Sequence, residues 1–233
     1  MNIIAFAPKY NKPGKKDATG AFQPEMTRFS NHWKLNGATV SSYIIDNNKR
    51  KTAMMNDVMD IISKDNAMMP LTSIVFFCHG LSTRIQFGIS IYNAYKFAKL
   101  LADLKVTSYV DIVCYSCSVA KDVDPTTDDT VIEMGGDGGF CDVLRDELCR
   151  AGLIWNMVVG HCTVGHASKN PFGRLFPGGG FPDGQYGGSF IITPKSPLWG
   201  KWVAALRTDF RFQYPYLSPP EILKYLNNFR DIQ

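Results

Sequence analysis

The sequence lacks several features that would assign it directly to a class of membrane, repeat, nucleic-acid-binding or disordered proteins. No apolar run approaches the roughly 18 residues that a membrane-spanning helix needs, and no segment repeats along the chain. Charged residues make up 20% of the sequence and the formal net charge is only +4, so the charge gives no argument for nucleic-acid binding. Hydrophobic residues make up 45%, which excludes a disordered chain. We therefore expect one folded domain that binds neither a membrane nor nucleic acid.

The cysteines favour a reducing compartment. The chain has six, and three of them lie inside or at the ends of apolar runs, where a single thiol behaves as a small buried hydrophobe. The first residues, MNIIAFAPKYNK, have no basic leader and predict a strand in place of a signal peptide. Together these observations predict a cytoplasmic protein with free thiols.

Short apolar segments alternate with segments of helical spacing. The predicted strands cover residues 2–7, 40–45, 73–78, 109–115 and 156–162. The predicted helices cover residues 25–35, 52–63, 92–104 and 140–151. This alternation predicts an α/β fold with a mostly parallel sheet of about six strands and helices on both faces.

The pattern changes after His166, where proline and glycine become frequent. We expect residues 1–166 to form the core and residues 167–233 to form an extension packed on it, within a single domain. A late strand over 189–193 and a terminal helix over 219–229 are predicted in this extension.

Reactive side chains follow two of the predicted strands. His79 follows strand 73–78 and Cys117 follows strand 109–115. One helix separates the two strands, so they should be neighbours, and sites in such sheets form beyond the carboxyl ends of the strands. A histidine beside a cysteine can accept the thiol proton, and the thiolate then attacks a carbonyl. The N–H groups of Gly80 and Cys117 are candidate donors to the resulting oxyanion.

The order of these segments resembles the caspase-type (clan CD) cysteine peptidases, which include metacaspases, clostripain, gingipain, legumain, separase and CHAT domains. The resemblance covers about residues 2–165 and rests on a strand ending in His79-Gly80, a crossover helix, and a strand running into Ser116-Cys117. Residues 36–40, before the second strand, and residues 138–160, after the nucleophile, add to it.

The resemblance implies a caspase-like three-layer sandwich and a cysteine endopeptidase. His79 and Cys117 would be the catalytic dyad, cleaving peptide bonds through an acyl-enzyme. Protein or peptide substrates are expected, with no cofactor and no metal, and the need for an activating partner or ligand stays open.

Two departures from the family leave the cleaved residue open. Tyr115 stands where metacaspases carry an aspartate that selects basic substrates, and Ser118 stands where caspases carry an arginine. Neither specificity rule carries over.

Candidate substrate-binding residues come from three places. Lys15, with Lys12 and Lys16, could favour an acidic side chain, whereas Asp122, with Asp124, could favour a basic one. Ser116, beside the nucleophile, and His161, at the end of the fifth predicted strand, would line the same cleft. His161 or His166 could also replace His79 as the base.

A structural zinc site is one alternative. Its candidate ligands have suitable types and spacing, and they are Cys114, Cys117, His161, Cys162 and His166. However, Cys114 lies inside an apolar strand, so its side chain should point to a face of the sheet rather than to its edge.

Two further alternatives are a serine hydrolase of the α/β-hydrolase type and an interaction module without catalysis. Residues 114–118 have the outline of a nucleophile elbow with Ser116 as a serine nucleophile, although the flanking glycines of that motif are replaced by Cys114 and Ser118. The chain could also be a catalytically idle caspase-like interaction module, with residues 172–216 as its contact surface.

Overall fold

The computed structural model describes residues 1–10, 19–107, 109–121, 123, 138–161, 173–178 and 190–191. The strands of the main sheet are β1 (Asn2–Pro8), β2 (Thr39–Ile45), β3 (Ser73–Phe77), β6 (Asp111–Tyr115), β7 (Met157–His161), β8 (Gly173–Pro177) and β9 (Phe190–Ile191). A small hairpin consists of β4 (Gly80–Leu81) and β5 (Arg84–Ile85). The helices are α1 (Thr19–Leu35), α2 (Lys51–Met68), α3 (Ala94–Asp103) and α4 (Phe140–Arg150).

The main sheet has the strand order β2-β1-β3-β6-β7-β8-β9. The five strands from β2 to β7 are mutually parallel, and β8 and β9 add antiparallel pairings at one end. The prediction of an α/β fold with a mostly parallel sheet is confirmed. The predicted terminal helix over 219–229 lies outside the described residues.

The helices cover both faces of the sheet and create two apolar cores. On one face, α1 packs Phe22, Met26 and Phe29 against the side chains of β1, β3 and β6. On the other face, α2, α3 and α4 pack against a larger core that includes Phe76 and Ile112. In the described part of the chain, no helix is long and apolar enough to cross a membrane.

The first helix begins earlier than its sequence predicts. Proline is favoured in the first turn of a helix, so a start at Pro24 is expected, but α1 begins at Thr19 and contains Pro24. An internal proline loses one backbone hydrogen bond and costs about 3 kcal/mol. The added turn buries Phe22 to 5% exposure, which offsets part of that cost.

Asp111 is a partly buried carboxyl at the start of β6. It pairs in register with Ser73 of β3 and Met157 of β7, and burial raises its pKa from 3.8 to about 7. Between these values the folded chain binds more protons than the unfolded chain, so this group makes stability fall as the pH rises through that window. Above about pH 7 the full cost of the buried charge is present.

Asp111→Asn should therefore stabilise the protein at alkaline pH. The amide has a similar shape and carries no charge, so we expect the free energy of unfolding to rise by about 1–3 kcal/mol near pH 8 and to change little near pH 4. Urea unfolding at the two pH values measures the difference. An equal change at both would show that ionisation of Asp111 is not the cause.

Candidate functional site

The register of two neighbouring strands brings the predicted dyad to one edge of the sheet. β3 and β6 are parallel, and Phe77, the last residue of β3, pairs with Tyr115, the last residue of β6. His79 and Cys117 each follow two residues later. Equal offsets beyond paired strand ends put the two side chains at the same carboxyl edge. The prediction that these two strands are neighbours is confirmed.

The backbone at Gly80 packs directly on the segment that carries Cys117. A Cβ atom built on Gly80 would lie 2.8 Å from the carbonyl oxygen of Cys117, 2.8 Å from Cβ of Ser116 and 2.4 Å from Cγ1 of Val119. Real Cβ atoms essentially never come so close to their neighbours, so only glycine fits here. The His79-Gly80 and Ser116-Cys117 segments are therefore in contact.

Two residues that sequence reasoning missed hold His79 in place. The backbone N–H of His79 donates to Oε1 of Gln86 at 3.3 Å, and the N–H of Gln86 donates to the carbonyl of His79 at 2.8 Å. The ring of Phe22 meets the imidazole edge-on, with ring centroids 5.1 Å apart. A short hairpin after His79 and the first turn of α1 thus fix the backbone and the ring of the candidate base.

Cys117 lies at the start of a tight loop and is half-buried. The next residue, Ser118, has a φ of 55°, a left-handed conformation that residues other than glycine adopt uncommonly. Two hydrogen bonds hold the loop in this shape. The N–H of Ala120 donates to the carbonyl of His161 at 3.1 Å, and the N–H of Cys141 donates to the carbonyl of Val119 at 3.1 Å.

A second glycine lets this loop pack on β7. A Cβ atom at Gly160 would lie 2.6 Å from both Sγ of Cys141 and Cγ2 of Val119. The missing side chain therefore makes room for the loop beyond Cys117 and for the first turn of α4. No local sequence signal identified Gly160, because the contact joins three separate segments of the chain.

The thiols around the site differ in exposure. Cys78, Cys114, Cys141 and Cys149 are buried, whereas Cys117 is only half-buried. Burial raises the pKa of the Cys78 thiol to about 12, and its hydrogen bond with Ser116 offsets part of this rise. Cys78 is therefore protonated at neutral pH and is a poor nucleophile.

Ser116 and His161 lie at the same end of the sheet as the predicted dyad but below the surface. Ser116 is 1% exposed, and its Oγ lies 3.3 Å from Sγ of Cys78. His161 ends β7, is 3% exposed, and its ring centroid lies 6.1 Å from that of Tyr115. Both residues sit at the same carboxyl edge of the sheet as Cys117.

The other candidate residues fall outside the part of the chain that the structure describes. These are Lys12, Lys15, Lys16, Asp122, Asp124, Cys162 and His166. Within the described ranges, no group of three or more His, Cys, Asp or Glu side chains is arranged to hold a metal ion.

No protein-family model and no curated protein matches this sequence.

Proposed function

We propose that this protein is a caspase-like cysteine peptidase that cleaves peptide bonds with Cys117 as nucleophile and His79 as base. The observation that carries the proposal is the direct packing of Gly80 on the backbone of Cys117, at the carboxyl ends of two parallel strands. Catalytic side chains in open α/β sheets occupy this edge. The α/β architecture, with helices on both faces of a mostly parallel sheet, is compatible with a caspase-like three-layer sandwich.

The mechanism assigns one role to each group. His79 accepts the proton of the Cys117 thiol, and Sγ attacks the scissile carbonyl carbon. The C–N bond then breaks, and His79 returns the proton to the leaving amine. Water next attacks the thioester, which releases the carboxylic acid and restores the thiol. The N–H groups of Gly80 and Cys117 would stabilise the negative charge on the carbonyl oxygen in both steps.

The burial of Ser116 favours the thiol over the serine as nucleophile. The Ser116 hydroxyl is inside the protein beside Cys78, whereas Cys117 is half-buried at the edge of the sheet. A nucleophile must reach its substrate, so the serine-hydrolase alternative would require the strand end to rearrange.

A peptide-based, thiol-directed electrophile tests the proposal. We expect a mixed library of peptidyl acyloxymethyl ketones to label the intact protein at Cys117, as located by mass spectrometry. Among the described cysteines, Cys117 should also react first with iodoacetamide, because the others are buried. Cys117→Ser should abolish labelling, and the matched variant Cys114→Ser should retain it, because Cys114 is 1% exposed inside β6.

The pair of reagents separates an active site from a merely accessible thiol. An idle interaction module would react with iodoacetamide at Cys117 but would gain no advantage from the peptide portion of the electrophile. In a peptidase, His79→Ala should remove the preference for the peptide reagent and leave the protein folded. The proposal would be contradicted if the peptide reagent labelled another cysteine and if this labelling were unchanged in Cys117→Ser.

A further inference from the structure

Strand β2 forms an edge of the described sheet, and the strand itself carries none of the features that usually protect an edge. It pairs with β1 along its whole length, from Asn2 opposite Thr39 to Pro8 opposite Ile45, without a bulge. No other strand in the described ranges pairs with its outer side. Its sequence, TVSSYII, contains no charged residue and no proline. Natural edge strands usually carry one of these features because an open edge invites pairing with another strand.

The backbone direction shows which residues offer free groups on this edge. The N–H of Thr39 donates to the carbonyl of Met1 at 3.0 Å, and the carbonyl of Ile45 accepts from the N–H of Lys9 at 2.8 Å. Backbone groups alternate in direction along a strand. The N–H and C=O groups of Val40, Ser42 and Ile44 therefore point away from β1. Ser42 is exposed and Ile44 is 44% exposed, whereas Val40 is 7% exposed, so this edge is open to solvent around Ser42 and Ile44.

We propose that β2 pairs with β2 of a second copy of this chain, antiparallel about a two-fold axis at Ser42. With the axis at Ser42, each of the three outward-facing residues lies opposite an outward-facing residue of the second copy. An axis at any other position would leave at least one of them without such a partner. Ser42 then faces Ser42 of the second copy, and each Val40 faces an Ile44. These pairs form about six backbone hydrogen bonds and join the two sheets into one.

The side chains of β2 are compatible with pairing to a copy of themselves. Self-pairing opposes no like charges, because the strand carries none. Ile44, which is 44% exposed, lies opposite Val40 of the other copy, which is only 7% exposed, so the burial gained on pairing is mainly that of Ile44. Such β-branched pairs contribute about 0.2–1 kcal/mol each. Neighbouring polar groups are already held within one copy. Ser42 Oγ lies 2.8 Å from Ser30 Oγ, and the hydroxyls of Ser41 and Tyr43 each donate to Asp65 at 3.2 Å. The strand thus presents its edge in a fixed conformation.

Sedimentation velocity of the full chain over a range of concentrations tests this interface. We expect the wild type to be a dimer at high micromolar concentration. Ser42→Lys places two like charges opposite each other at the axis and should give a monomer, as should Ser42→Asp. An equimolar mixture of the two variants should form a heterodimer, because the charges at the axis are then complementary. Met68→Lys, at a residue 88% exposed on α2, is the matched control and should remain a dimer.

Each outcome decides the proposal. A wild type that stays monomeric at every concentration overturns it, as does a dimer that persists in Ser42→Lys or a mixture that stays monomeric. Thermal unfolding of each variant checks that it is folded. If a Ser42 variant does not fold, Ile44→Lys replaces it, since that side chain is exposed in one copy and buried in the dimer. This interface is independent of the proposed peptidase activity, which the labelling experiment measures separately.

Discussion

Cys117→Ala should reduce the proposed peptide hydrolysis to the background rate, a loss on the order of 10⁴-fold or more in kcat/KM. The physical reason is that no other thiol among the described residues can take its place. Cys78 and Cys114 are 0% and 1% exposed, and the pKa of Cys78 is about 12. The measurement is the initial rate of cleavage of a mixed fluorogenic peptide library. Cys114→Ala is the control and should cost about 1 kcal/mol or more of stability while leaving the rate nearly unchanged.

His79→Ala should lower the same rate by about 10²–10⁴-fold, because proton transfer by a positioned base contributes that much. The double variant should be no slower than Cys117→Ala alone, since the two residues act as a unit. If His79→Ala is harmless and His161→Ala is not, His161 is the base. If Ser116→Ala loses activity and Cys117→Ala keeps it, the serine-hydrolase alternative is correct.

Gly80→Ala should impair activity and stability together. The added methyl group would lie 2.4 Å from Val119 and 2.8 Å from the carbonyl oxygen of Cys117, so the two strand ends must move apart. A displacement of about 1 Å in a catalytic group can cost about 10²-fold in rate, and overpacking costs about 1–3 kcal/mol. Library hydrolysis and urea unfolding measure the two effects.

Gly37→Ala separates this steric effect from a general cost of replacing a glycine. Gly37 has a φ of 83°, and a Cβ there would meet no atom within 4 Å. We expect a loss of about 1–2 kcal/mol from the left-handed backbone and an unchanged kcat/KM for the folded protein. If Gly80→Ala behaves like Gly37→Ala, then the contact at Gly80 has no part in positioning Cys117.

The parallel core could be predicted from sequence because its strands are short, continuous apolar runs. Such runs mark strands buried on both faces, and the intervening helices require parallel crossovers. The placement of His79 and Cys117 followed from the same reasoning, since both come two residues after the end of a buried strand. These conclusions depend on local patterns, and local patterns are visible in a single sequence.

The supporting contacts could not be predicted in this way. Gln86 bonds to the backbone of His79, and Phe22 contacts its ring, but neither residue belongs to a motif. The start of α1 before Pro24 depends on the burial of Phe22, a tertiary effect that overrides the local preference of proline. Strand β8 lies in a segment rich in proline and glycine, which hides the pairing with β7 that the structure shows.

The hydrogen bonds that shape the Cys117 loop also determine how much of the chain must be synthesised before the site can form. Cys117 leaves the ribosome together with the strand before it, but the loop takes its shape from Cys141 and from His161, which are translated later. A nascent chain that lacks these residues carries the thiol without the backbone that positions it. Because domains fold as units during translation, any activity that needs the finished loop begins only after β7 has been synthesised.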